Sequence, residues 1–87
     1  MTQHTRRRTC RAEILEAIRA LESRTQRNYF SPMEIIREME HRGTSYLEST
    51  IRTHITARMC RDAPTNHQPK YDDLERVDRG LYRRVQS

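Results

Sequence analysis

The chain is poor in the residues that build a large core. Its 87 residues include no Trp and one Phe, Phe30, and hydrophobic residues make up 33% of the total. So few hydrophobic residues can build one thin core of limited stability, and they exclude a closed catalytic cavity. Apolar residues nevertheless recur at regular spacing, so the sequence indicates a folded domain and not a disordered chain.

Long apolar runs are also missing. No stretch approaches the ~18 apolar residues that span a membrane, and the basic N-terminus is not followed by the apolar segment of a signal peptide. We therefore expect a cytoplasmic protein with no membrane partner. Its two cysteines, Cys10 and Cys60, are expected to be free thiols in a reducing compartment.

Motifs for metal binding and catalysis are weak or absent. Cys60, His54 and His67 could suggest zinc, but there is no Cys-x-x-Cys pair and no pair of histidines at metal-binding spacing. Neither an acidic cluster with nuclease spacing nor a Gly-rich phosphate loop is present. We expect no enzymatic activity, no metal and no cofactor.

Basic charge is what the chain has in excess. The net charge is +5, and the 17 basic residues are 16 Arg and a single Lys. Residues 1–11 contain no acid and account for +4 of this charge. A basic segment suits a polyanionic partner, although a solubilising tail is the alternative. We predict a basic flexible arm over residues 1–8 and one domain over residues 9–85. The four arginines of the first segment are Arg6, Arg7, Arg8 and Arg11.

Two segments predict amphipathic helices with one buried face. Thr9–Ser23 places apolar residues on one side and charged residues on the other. A second helix is predicted to begin where Ser31, Pro32 and Glu34 match an N-cap, a first helical position and a capping box. It ends at Gly43, which can adopt the left-handed conformation. The predicted buried residues are Ile14, Leu15, Ile18, Leu21, Ile35, Ile36 and Met39.

A third helix is predicted over Ser45–Cys60. Ser45 is its expected N-cap, and Glu48 closes a second capping box three residues later. The short Gly-containing connection to the second helix is typical of a helix-turn-helix. The predicted buried stripe of the third helix is Leu47, Ile51, Ile55 and Met59.

The remaining segments predict β-structure around an irregular loop. Tyr29–Phe30 can form a brief strand, and Asp62–Lys70 contains two prolines that exclude regular structure. Leu74–Val77 and Leu81–Val85 read as a hairpin with Gly80 in its turn. The order predicts an α+β winged helix-turn-helix, with three helices and a C-terminal β-hairpin wing.

The outer face of the third helix has short hydroxyl side chains and no carboxylate, which favours DNA. Such side chains allow close approach to phosphates and donate to base edges in the major groove. Arg52 is the best candidate for bidentate recognition of guanine. The alternative is a polar face that merely lacks acids. The predicted DNA-binding residues are Arg6, Arg7, Arg8, Ser45, Tyr46, Ser49, Thr50, Arg52, Thr53, Thr56 and Arg79.

In the predicted wing, Arg79 lies at the turn, where it can reach a minor groove or a phosphate. An equally weighted alternative is that the acidic residues of the hairpin form ion pairs with its arginines.

Two motifs carry a family resemblance. Gly43–Tyr46 followed by Ser49–Ile55 resembles the turn and recognition helix of many bacterial winged-helix domains. Leu74–Arg83 is similar to the wing of small actinobacterial domains, found alone or beside restriction and modification modules and related in pattern to the HARE type. The resemblance covers residues 9–85. It implies DNA contacts at Ser49, Thr50, Arg52 and Thr53.

We therefore expect a double-stranded DNA-binding protein, a transcriptional regulator that is nucleoid-associated when bound and capable of acting as a homodimer. The alternative is a docking or dimerisation module, including an accessory to a restriction/modification or other nucleic-acid enzyme, because winged helices serve both roles.

Overall fold

The computed structural model describes residues 8–63 and 71–85. These residues form three helices followed by a two-stranded antiparallel sheet, which is the predicted winged helix-turn-helix arrangement with the hairpin as its wing. The elements in chain order are α1 (Cys10–Thr25), α2 (Pro32–His41), α3 (Glu48–Thr53), a π-helical segment (His54–Arg58), β1 (Leu74–Asp78) and β2 (Leu81–Arg84).

The first two helices begin at hydroxyl caps. Thr9 caps α1, which extends two residues beyond the predicted end at Ser23. The predicted capping box of α2 is confirmed: the Ser31 hydroxyl accepts from the backbone N–H of Glu34 at 3.2 Å, and the Glu34 carboxylate accepts from the backbone N–H of Ser31 at 2.8 Å. Pro32 occupies the first helical position, where its missing N–H costs nothing. Local sequence therefore determines where both helices start.

One core joins the helices to the wing. Phe30 pairs with Tyr82 through two backbone hydrogen bonds of 2.8 and 2.9 Å, so the predicted brief strand is a single antiparallel bridge. The predicted buried faces of α1 and α2 are confirmed, except that Leu15 is half-buried against the edge of the core. The largest fully buried side chains are Phe30, Ile14, Ile18, Ile35, Ile36, Met39, Ile51, Ile55, Met59 and Leu74.

The predicted hairpin is also confirmed. Leu74 lies opposite Arg84, and the register shifts between Arg76 and Asp78. Gly80 closes the turn with a φ of 68°, a conformation that glycine adopts without steric cost. The predicted irregular segment is described only at its start, where residues 62 and 63 form a turn; residues 64–70 lie outside the described part of the chain.

Ion pairs hold α1 against its neighbours. Arg84 binds Glu22 of α1 through two bonds of 2.7 and 2.8 Å. Glu38 of α2 is 7% exposed and accepts from Arg24 of α1 at 2.8 Å, while Arg42 lies 3.7 Å away. The hydrogen bond from Arg24, aided by the charges of Arg24 and Arg42, holds the pKa of Glu38 below its ordinary value of 4.5 despite its burial. Glu38 is therefore a charged link between the first two helices.

We predict that Glu38→Gln lowers the melting temperature by a few degrees near neutral pH. Because the pKa of Glu38 is depressed in the folded state, its stabilising effect is present above 4.5 and is lost as the pH falls below that value. The difference in Tm between wild type and variant, measured by circular dichroism, should therefore shrink from about pH 7 to about pH 3. Glu40→Gln, at an exposed position of the same helix, is the control. A difference that stays constant with pH would contradict this role.

Candidate nucleic-acid interface

The third helix begins at Glu48, so the prediction of a start at Ser45 is wrong. Leu47 occupies the N-cap position with φ −74° and ψ 151°, and no side chain caps the helix there. The cause lies one residue before Ser45, because the Thr44 hydroxyl accepts from the backbone N–H of Tyr46 at 3.2 Å. Such a local bond holds the chain in a turn and competes with helix formation. The predicted capping box of Ser45 and Glu48 therefore does not form.

Leu47 is the one member of the predicted stripe that is not buried. Its side chain is 70% exposed, whereas Ile51, Ile55 and Met59 are fully buried. Four-residue spacing places side chains on one face only within a helix, and Leu47 precedes the first helical turn. Tyr46 is half-buried and packs against the core. The interpretation of Leu47 as a core residue is thus wrong.

The helix also ends before the predicted Cys60. From His54 the backbone widens into the π-helical segment, in which the N–H of Met59 donates to the carbonyl of His54 at 2.8 Å. Two side chains bond to carbonyls one turn earlier: the Thr56 hydroxyl donates to Arg52 at 2.9 Å, and Nδ1 of His54 lies 2.9 Å from the oxygen of Thr50. Side-chain bonds of this kind compete with the regular helical pattern. Cys60 instead forms a parallel bridge to Leu74.

The outer face of this helical unit presents short side chains. Ser49, Thr53 and Ala57 are exposed at four-residue spacing, and Ser45 is exposed in the preceding turn. The predicted contacts Thr50, Arg52 and Thr56 are half-buried. The Thr56 hydroxyl donates its proton within the helix, so its oxygen is left chiefly as an acceptor.

The prediction of a face without carboxylates is wrong at one edge. Glu48 is 51% exposed, and its carboxylate lies 3.2 Å from Nη2 of Arg52, four residues later. An exposed pair of this kind contributes little to stability. Arg52 can therefore exchange Glu48 for another acceptor at small cost.

The basic arm begins beside the start of α3. The Tyr46 hydroxyl donates to the carbonyl of Arg8 at 2.5 Å, and the Arg8 guanidinium forms an ion pair with Glu16 of α1. Tyr46, predicted as a DNA contact, thus holds the base of the arm. Arg6 and Arg7 lie outside the described residues, and the predicted flexibility of the arm falls on that segment too.

Most arginines elsewhere are neutralised. Residues 8–63 and 71–85 contain 14 Arg and 12 carboxylates, and most of these arginines lie within 4 Å of an acid. In the wing, Arg83 binds Glu75 at 2.5 Å, which matches the prediction that hairpin acids pair with arginines. Arg79 is exposed at the turn; its backbone N–H donates to the Asp78 carboxylate at 2.7 Å, and its guanidinium forms no ion pair with a carboxylate among the described residues. Positive charge is thus available at the wing turn.

Other sites offer little chemistry. In the described ranges no three His, Cys, Asp or Glu side chains converge as metal ligands, and no helix there has the length and apolar character to cross a membrane. His67 lies outside these ranges. Cys10 and Cys60 are buried free thiols. Burial, together with the charge of Glu13, raises the pKa of Cys10 to about 11, so this thiol is protonated and inert.

Comparison with known proteins identifies a family. Residues 9–84 match the model of the Domain of unknown function (DUF7669), and the chain belongs to this family. No curated protein and no solved structure matches the chain.

We predict that Tyr46→Phe speeds tryptic cleavage after Arg8 by roughly two- to fivefold. The variant loses one hydrogen bond, worth ~0.5–1 kcal/mol at an exposed site, and cleavage of a fraying segment follows its open population. Mass spectrometry of timed digests measures the rate. Tyr29→Phe, at an exposed tyrosine without a hydroxyl hydrogen bond among the described residues, is the control. Equal rates in all three proteins would show that Tyr46 does not hold the arm.

Proposed function

Because membership of a family of unknown function brings no activity with it, we propose from the geometry that this protein binds double-stranded DNA. α3 enters the major groove, the wing turn contacts the backbone at Arg79, and the arm follows the neighbouring backbone or minor groove. A role as a transcriptional regulator, in the cytoplasm and at the nucleoid when bound, fits this activity.

The observation that carries the proposal is the junction of arm and helix. The hydrogen bond from Tyr46 to the carbonyl of Arg8 brings the start of an arginine-rich segment next to the exposed beginning of α3. Backbone contacts by basic side chains supply most of the affinity of DNA-binding proteins, whereas the recognition helix reads the bases. The two components that DNA recognition requires therefore meet at one end of α3.

The short outer side chains support the same function. Ser49 and Thr53 allow a helix backbone to lie close to the floor of the major groove, and their hydroxyls can donate or accept there. Long Glu or Lys side chains at these positions would hold the helix away. The resemblance of residues 9–85 to small winged-helix domains found alone or beside restriction and modification modules is consistent with a nucleic-acid ligand.

A second candidate is a docking or dimerisation module, which includes an accessory role beside a nucleic-acid enzyme. Val77, 40% exposed, and Tyr71, 41% exposed, are the observation in its favour, because exposed apolar side chains that form a contiguous patch mark a protein contact. Sedimentation of the protein alone and with DNA separates the two functions.

We predict salt-dependent binding to DNA. Fluorescence anisotropy with a labelled mixed-sequence duplex of about 20 base pairs should give an affinity that falls tenfold or more between about 50 and 200 mM salt. Counterion release from phosphates by the arm and wing is the cause. No binding at the lowest salt would reject the proposal.

Replacing Arg6, Arg7 and Arg8 together by Gln should weaken binding to all sequences alike. The backbone carbonyl that Tyr46 contacts is retained, while three positive charges and the ion pair of Arg8 with Glu16 are removed. The slope of log affinity against log salt should fall by about 2–3 if each arginine neutralises one phosphate. An unchanged slope would show that the arm does not contact DNA.

Arg52→Ala should weaken binding to a duplex selected from a random pool by ~1–3 kcal/mol and relax its sequence preference. The matched control is Arg19→Ala, which removes one charge from an exposed position on α1 with no ion pair among the described residues. Loss of one positive charge alone should affect both variants equally. Equal effects of the two variants would contradict base recognition by Arg52.

A further inference from the structure

Leu47 is the most exposed large hydrophobic side chain in the described part of the chain. It is 70% exposed, compared with 40–41% for Tyr29, Tyr71 and Val77. Leaving an isobutyl group in water forgoes the favourable transfer of its apolar surface. Only 33% of the residues of this chain are hydrophobic, so few hydrophobic residues remain for positions outside the core.

The position of Leu47 gives no structural reason for a leucine. It is the N-cap of α3, where Ser, Thr, Asp or Asn would accept a hydrogen bond from the first turn, and the leucine makes none. Nor does it pack into the core, which begins at Ile51 on this helix. A polar residue at this position would stabilise the helix, so stability does not account for the leucine.

The surroundings of Leu47 indicate a small apolar ligand group. Ser45 and Ser49 are exposed on either side along the chain, and Glu48 and Arg52 form an ion pair next to it. A protein partner is normally held by a contiguous patch with an apolar centre, about 800 Å² of buried surface on each side in a standard interface. One leucine among hydroxyls and charges does not provide such a patch, but it suffices to contact a methyl group.

We propose that Leu47 contacts the C5-methyl group of a pyrimidine in the major groove and thereby sets part of the sequence preference. This inference rests on the proposed DNA binding. The N-terminal residues of a helix-turn-helix recognition helix are those that reach base edges. The C5-methyl is the apolar group on the major-groove edge, present on thymine and on 5-methylcytosine. Ser45 and Ser49 would hydrogen-bond to the polar atoms beside it.

The test removes the methyl group from the DNA and the leucine from the protein. A duplex selected from a random pool by the wild-type protein is resynthesised with uracil in place of each thymine in turn, which keeps base pairing and deletes only the methyl. At one position wild-type affinity should fall about fourfold, the factor expected for one methyl group returned to water. Leu47→Ala and Leu47→Ser should bind the thymine and uracil duplexes equally.

A second arm distinguishes the two sources of the methyl group. At the sensitive position the T·A pair is replaced by C·G, with cytosine or 5-methylcytosine. Tighter binding of the methylated duplex by the wild type, lost in Leu47→Ala, supports a contact with either 5-methylpyrimidine. If methylation has no effect while thymine is still preferred over uracil, the contact is supported for thymine alone.

Two controls separate this contact from folding and from general affinity. Leu47→Ser should melt no lower than the wild type, because serine supplies the missing cap. Val77→Ala changes an exposed apolar residue of the wing and should keep the wild-type preference for thymine over uracil.

The outcomes distinguish this inference from the proposed function. Failure of the wild type to bind any duplex rejects DNA binding itself. Binding with no thymine preference, or a preference that survives Leu47→Ala, overturns the role of Leu47 and leaves DNA binding intact. Self-association that is abolished by Leu47→Ala, with no thymine preference, overturns it in favour of contact between two copies of the chain.

Discussion

The pairing of Phe30 with Tyr82 is the contact on which the rest of the structure depends. Two backbone hydrogen bonds join a residue between the first two helices to the last strand of the wing, 52 residues later in the chain, and both side chains are buried. A two-stranded hairpin is marginally stable in water by itself. The bridge to Phe30 adds a third chain segment to the hairpin and packs it against the hydrophobic core. The ion pair of Arg84 with Glu22 also links the hairpin to the helices.

This core orients the helices and thereby determines which of their polar and charged side chains face solvent. Once Ile51, Ile55 and Met59 are buried, the opposite side of the unit must face solvent, which exposes Ser49 and Thr53. Pairing of arginines with carboxylates leaves the described residues close to neutral. The positive charge that is left to attract a polyanionic ligand is therefore concentrated at a few places. The position of these charges relative to α3 decides what the surface can bind.

Two capping motifs with the same spacing behave differently in the structure. Ser31 and Glu34 form the predicted capping box, because Pro32 fixes the first helical residue and nothing competes for the serine. Ser45 and Glu48 have the same spacing and form none. There the hydroxyl of Thr44 bonds to Tyr46 first, and Tyr46 is drawn to the core and to Arg8. A capping motif predicts a helix start only where neighbouring side chains leave the backbone free.

The sequence by itself determined the order of elements, the buried faces of α1 and α2 and the hairpin turn, since these depend on helical periodicity and on the conformational freedom of Gly80. Tertiary structure decided the exposure of Leu47 and the junction between arm and helix, while the start of α3 depends both on the local bond between Thr44 and Tyr46 and on the long-range contacts of Tyr46. It also decided which arginines are neutralised. The physical reason is the separation of the partners: Tyr46 and Arg8 lie 38 residues apart, and Arg84 and Glu22 lie 62 apart. Contacts over such distances arise only when the core has closed, and no local pattern encodes them.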